Sequence, residues 1–194
     1  MIASLLAQQH TALRQIDAFA FASGPGAFTG LRVACALAQG LAFANDRPVI
    51  PVGSLRALAL AVTSHLQRSA RVMAAIDARM GQVYWAVYEG DERARVLARP
   101  SLAEPQELAG LVAQWQPDVI AGDALRVFEA AWPAGCGIRL PQLQGDAAMV
   151  ARLASTDLAD GRALNARDAA PEYVRDRIAL TVAQRSGGPG STTP

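Results

Sequence analysis

Alternating helical and extended segments, a glycine-rich turn joining a short apolar strand to a long helix, and 52% hydrophobic content over 194 residues predict a globular α/β fold. Ile2, Leu5 and Leu6 lie one helical turn apart, so the chain opens inside an amphipathic helix. Residues 16–22 alternate large and small apolar side chains, as a strand in a covered sheet does, with Asp17 at the entry. Then comes Ser23-Gly24-Pro25-Gly26-Ala27-Phe28-Thr29-Gly30-Leu31-Arg32, in which Gly24, Gly26 and Gly30 let the backbone turn sharply and approach its surroundings closely.

Thr29 is the expected N-cap of the following helix. Residues 31–44 are polar only at Arg32 and Gln39, which predicts a helix buried on more than one side, with Phe28, Leu31, Leu37 and Leu41 as core anchors. Its small residues form two rows at i, i+4 spacing, Ala34-Ala38-Ala42 and Ala36-Gly40-Ala44, either of which admits a second helix at close range.

Asp46-Arg47-Pro48 turns the chain into a strand over 49–52. Gly53-Ser54 caps the next helix, whose buried stripe is Leu55, Leu58, Ala59 and Val62. Strands over 71–76 and 82–88 form a hairpin through Asp77-Ala78-Arg79-Met80-Gly81, and a third strand over 93–98 follows Gly90-Asp91. The rest alternates: helix 105–115, strand 119–121, helix 127–131, strand 138–140, helix 146–154. Residues 186–194 have nothing to bury and are expected to be disordered.

Composition closes several routes to chemistry. All 18 basic residues are arginine, which removes a P-loop lysine, a Schiff-base lysine and a kinase lysine. A net charge of +1 provides no field to hold a nucleic-acid backbone directly. His10 and His65 have no second ligand at metal spacing, so neither a metal nor a cofactor is expected. Cys35 and Cys136 make no disulfide framework, and no segment reads as a membrane span. The glycine turn could hold an anion at a helix N-terminus, but its spacing is not the dinucleotide fingerprint.

Asp77, with Arg79 and Gly81, is the strongest carboxylate candidate. One reading places this loop beside a nucleotide, and the other has Asp77 capping turn amides while Arg79 faces a carboxylate or a partner. Asp17, Asp118 and Asp123 are scattered, with the last two read as turns flanking one short strand. Ser23 and Ser54 lack the Gly-x-Ser-x-Gly elbow of a serine hydrolase. No catalytic residue is assigned.

Gly24-Pro25-Gly26-Ala27-Phe28-Thr29-Gly30-Leu31-Arg32 resembles the Gly-Pro-Gly-Ser-Phe-Thr-Gly-Leu-Arg signature of the TsaB (YeaZ) family, departing from it at Ala27. Three further stretches agree in order: Gln39-Gly40-Leu41-Ala42, Ile76 through Ala86, and Pro171-Glu172-Tyr173-Val174-Arg175. The resemblance implies an actin-like, sugar-kinase-like (ribonuclease H-like) fold of two lobes, 1–70 and 71–185. It also implies an upstream strand and hairpin of about 35 residues that would complete the first lobe.

The family implies a non-catalytic subunit in the cytoplasm that pairs with a TsaD-like catalytic subunit, or with itself, in making threonylcarbamoyladenosine in tRNA. A TsaE-like ATPase would complete the complex, and tRNA would be met only indirectly. The docking residues carried over are Gly24, Pro25, Gly26, Phe28, Thr29, Gly30, Arg32, Ala36, Gly40 and Ala44. The alternatives are an actin-fold ATP-dependent kinase or acyltransferase active alone, and a glycoprotease-like peptidase, for which no catalytic residues stand out.

Overall fold

The computed structural model describes residues 2–175, so the expectation for 186–194 lies outside the described residues. Two parallel strands, β1 (Phe19–Gly24) and β2 (Val49–Gly53), form one sheet. The second sheet has five strands in the order β5-β4-β3-β6-β7: β3 (Arg71–Arg79), β4 (Gln82–Glu89), β5 (Arg95–Ala103), β6 (Val119–Ala121) and β7 (Ile138–Leu140). β3 pairs antiparallel with β4 and parallel with β6, so the hairpin side of the sheet is antiparallel and the helix-connected side parallel.

The helices are α1 (Ile2–Gln8), α2 (Phe28–Ala44), α3 (Ser54–Leu66), α4 (Leu108–Trp115), the short α5 (Ala124–Val127) and α6 (Ala147–Ala159). Successive side chains of a strand point to opposite faces, and β3 and β4 bury both. Val72, Ala74, Ala86 and Tyr88 meet α3 and α6, while Met73, Ala75, Val83, Trp85 and Val87 meet α4 and Trp132. Ile50 and Val52 of β2 enter the core under α3, whereas Val49 enters a third core under α2 with Phe21, Cys35, Ala38 and Ala42. The core thus continues across residue 70 without a break.

Several local expectations need correction. β1 starts at Phe19, because Leu13–Gln15 forms a 3-10 turn and Asp17 remains in the connection. β3 runs on through Arg79, so only Met80 and Gly81 turn the hairpin. Both have positive φ, as does Arg79. β5 extends over Arg95–Ala103, and the helix expected at 127–131 is α5 followed by a 3-10 turn. Gly53 is the N-cap of α3 with no side-chain bond.

The main correction concerns α2, which buries only Leu31, Cys35, Ala38 and Ala42. It is amphipathic in placement although apolar in composition. Leu37 is 51% exposed and Phe28 38% exposed, so neither anchors the core. On β1, the edge away from β2 faces an apolar groove between α2 and α6.

An ionic knot ties α3 to α6. Asp157 is buried and accepts two hydrogen bonds from Arg56, at 2.5 and 3.1 Å, and pairs with Arg162 at 3.0 Å. Arg56 also donates to the Arg93 carbonyl, and Asp160 binds Arg93 and Arg162. Hydrogen bonds from Arg162 and then Arg93 hold the Asp160 carboxyl below its ordinary range.

Asp157→Ala leaves the Arg56 guanidinium without its carboxylate and is expected to cost about 3–5 kcal/mol of stability, read by chemical denaturation. A depressed folded-state carboxyl stabilises the fold above the unfolded Asp value of about 3.9. The Asp160 contribution is therefore expected to vanish as pH falls through its lower folded value, and Asp160→Asn should flatten the acid limb of a Tm against pH curve.

Candidate docking site

Three separate stretches meet near the end of β1. Gly24 has φ of +133°, and a Cβ there would lie 2.5 Å from the Glu172 carbonyl oxygen. Only glycine fits this backbone and this approach. The Glu172 amide donates to the Ser23 carbonyl at 2.7 Å, so the returning segment is strapped to the strand end. The Gly24-Pro25 peptide is cis, and Pro25 is buried.

Ala27 is the N-cap of α2: its carbonyl accepts from Leu31 at 3.0 Å, with no side-chain cap. Thr29, expected at the cap, is inside the first turn and exposed. On that turn the Arg32 guanidinium lies 3.7 Å from the Phe28 ring centroid, and its Nε donates to the Tyr173 hydroxyl at 2.9 Å. The Phe28 and Tyr173 rings are 5.6 Å apart, within aromatic pairing range. Farther along α2, the Gln39 amide donates to the Ala166 and Ala169 carbonyls, both at 3.0 Å.

The strap continues to the hairpin. Arg175 donates to the Ala78 and Arg79 carbonyls and, at 2.6 Å, to Gln82 Oε1, while Gln82 donates to Glu104. Three of the four stretches that carried the resemblance, 24–32, 76–86 and 171–175, are therefore one contact set, while Gln39 of the fourth reaches Ala166 and Ala169 farther along α2. Tyr173, Arg175 and Gln82 were absent from the expected site residues, although two of them lie in the last of those stretches.

Asp77 accepts from the Arg79 amide at 2.8 Å and pairs with the Arg79 guanidinium at 3.1 Å. Its own amide donates to Asp123 Oδ1 at 2.9 Å, and Asp118 Oδ2 accepts from the Arg71 amide at 2.7 Å. Asp118 and Asp123 thus clamp the two ends of β3 to β6 rather than turning their own strand. A cleft of about 340 Å³ runs from Gly26 past Asp77 and Asp123 to Gly122 and Gly145. Gly81 points a would-be Cβ into open space.

The outer face of α2 is the second feature. Gly30, Val33, Ala36, Leu37, Gly40, Phe43 and Ala44 are all exposed and, with Arg32 to one side, form a face opposite the core stripe. A Cβ on Gly30 or Gly40 would meet nothing within 4 Å. Of the two small rows, the Ala34 row buries Ala38 and Ala42 in the core, and the Ala36 row faces outward. The missed residues are the large ones between the small: Val33, Leu37 and Phe43. Projecting 31–44 at 100° per residue would have found them, once Leu31, Cys35, Ala38 and Ala42 were placed inside.

Burial raises the Cys35 thiol above its ordinary range. Among the described residues no group of three His, Cys, Asp or Glu side chains is arranged to hold a metal, and neither histidine makes a side-chain hydrogen bond. No described helix is long and apolar enough to cross a membrane.

This corner and this mixed sheet define a class. A family model described as TsaD, tRNA N6-adenosine threonylcarbamoyltransferase, matches residues 1–179. YeaZ from Pseudomonas aeruginosa superposes with a TM-score of 0.78 at 36% identity, covering 89% of this chain and 81% of that one. A second Pseudomonas aeruginosa structure, described as similar to peptidase YEAZ, gives 0.79 at 36% identity over 90% and 81%. These place the chain in the actin-like, ribonuclease H-like class.

The tRNA threonylcarbamoyladenosine biosynthesis protein TsaB of Escherichia coli is 33% identical over 92% of this chain and 79% of its own length. Its counterpart in Haemophilus influenzae is 51% identical over 86 residues, 44% of this chain and 36% of that protein. The chain belongs to the TsaB (YeaZ) family.

Two substitutions probe the corner. Ala27→Ser supplies an oxygen for the open amides of the first α2 turn and is expected to add about 0.5–2 kcal/mol of stability. Gly24→Ala should lower Tm and expose the 171–175 strap to protease, because its Cβ collides with backbone.

Proposed function

We propose that the chain is a non-catalytic dimerisation subunit in tRNA threonylcarbamoyladenosine biosynthesis, docking a TsaD-like catalytic subunit through the Gly-Pro-Gly turn and α2. Its family supports the pathway. The observation that carries the docking is the outer face of α2, where Val33 is 62%, Leu37 51% and Phe43 82% exposed around a glycine with open space above it. Apolar surface gathered on one helix face seeks a partner, and Gly40 lets a second helix come close.

In this reading residues 1–70 are the docking lobe and 71–185 the supporting one. Threonylcarbamoyl transfer belongs to the TsaD-like partner and ATP turnover to a TsaE-like ATPase. The tRNA is met through the complex, in the cytoplasm, and a second copy of the chain competes for the same face. Asp77 and Asp123 are engaged by backbone amides and Arg79, which supports a structural role over an ATP-dependent activity of the chain alone.

Gly40→Leu tests the docking. The folded chain is expected to keep its Tm or gain about 0.5–1 kcal/mol of helix propensity, while association with the TsaD-like subunit falls in sedimentation velocity. Unchanged association would move docking to another surface. The purified chain alone should show no ATP hydrolysis, and a turnover abolished by Asp77→Ala would favour the ATP-dependent alternative.

A further inference from the structure

Residues 169–175 run without helix or strand, so their course is set by the bonds they make to the body. Two ties bracket Tyr173. Before it, the Glu172 amide donates to the Ser23 carbonyl, and after it the Arg175 guanidinium grips the β3–β4 hairpin. Between the ties, Tyr173 accepts from Arg32 through its hydroxyl and lays its ring against Phe28, two exposed side chains in the first turns of α2.

The grip uses acceptors that the hairpin ladder leaves over. Pairing steps from Asp77 with Val83 to Arg79 with Gln82, and this irregularity leaves Ala78 outside the register. Arg175 Nη2 donates to the Ala78 carbonyl at 3.3 Å, the Arg79 carbonyl at 3.4 Å and Gln82 Oε1 at 2.6 Å, while Nη1 lies 3.1 Å from the Met80 sulfur. A planar guanidinium can serve so spread a set of acceptors, and a single ammonium cannot. Gln82 is aimed in its turn: its Nε2 donates to Glu104 Oε1 at 2.6 Å, which leaves its Oε1 directed at Arg175.

We infer that Gln82 and Arg175 are positioning residues for docking: the chain Glu104-Gln82-Arg175 fixes the strap, and through Tyr173 it holds Phe28 and Arg32 in the arrangement a partner meets. The inference rests on the docking reading and adds to it residues on the hairpin, away from α2. Without the grip the strap is tied only at Glu172, and Tyr173 sits on a free end. Phe28 and Arg32 would then have to be ordered during association, a cost that folding has already met in the parent chain.

The test measures association of the full chain with the TsaD-like subunit for Gln82→Ala and Arg175→Lys, each with and without Tyr173→Phe. Exchange of the Arg32 Nε–H proton with solvent is followed by NMR in the same chains. Gln82→Ala is expected to weaken association about fivefold or more while Tm stays near that of the parent. Arg175→Lys keeps the charge but loses the fork, and is expected to fall with it. In both, the Arg32 proton should exchange faster. With Tyr173→Phe already in place, Gln82→Ala should change association by less than about twofold, because the two residues act in series. A loss of equal size with and without Tyr173→Phe would show that Gln82 acts on the partner directly or on overall stability, and would overturn the inference. If Gly40→Leu weakens association and Gln82→Ala does not, the inference fails and the docking reading stands. If neither weakens it, both fail.

Discussion

One backbone contact organises this molecule: Gly24 against Glu172. At φ of +133°, with the Glu172 carbonyl where a side chain would be, Gly24 is required by the chain's own geometry. That approach lets the Glu172 amide bond Ser23 and sets Tyr173 against Phe28 and Arg32. It also brings Arg175 onto the hairpin carbonyls. Residues far apart in the sequence thereby become one corner, and the start of α2 is held from both sides.

The glycines of the turn are not equivalent. Gly26 would tolerate a Cβ at ordinary contact distance from Leu31, and Gly30 would meet nothing. Only the first glycine is explained by folding. A Cβ at Gly30 or Gly40 would meet nothing among the described residues, so internal packing does not call for their smallness, and the docking proposed for this helix face would give it a use.

The α/β class, the hairpin of β3 with β4 and the family were legible in the sequence, because alternating strands and an ordered set of four motifs are strong signals. Residues 31–44 misled because nearly all are apolar: composition alone cannot separate a helix buried all round from one with an uncovered face. Thr29 was a reasonable cap by residue type, yet the helix begins two residues earlier because the Ala27 carbonyl accepts the first bond. Asp118 and Asp123 resembled turns of β6, since no local pattern reports that their oxygens reach Arg71 and Asp77 on a neighbouring strand. Tyr173 and Arg175 were hidden for the same reason, their partners being distant in sequence.

β2 matters as much for the motion it forbids as for the strand it pairs. Its side chains alternate between two cores, Val49 beneath α2 and Ile50 with Val52 beneath α3, and Val49 is bridged to Leu164 on its far side. Swinging one sheet against the other, the movement by which two-lobed proteins close around ligands, would pull Ile50 and Val52 from a packed interior. The molecule is built as a bracket and not as a jaw. Whatever binds its outer faces meets a surface already in its final shape, so little ordering entropy is lost by this chain on association.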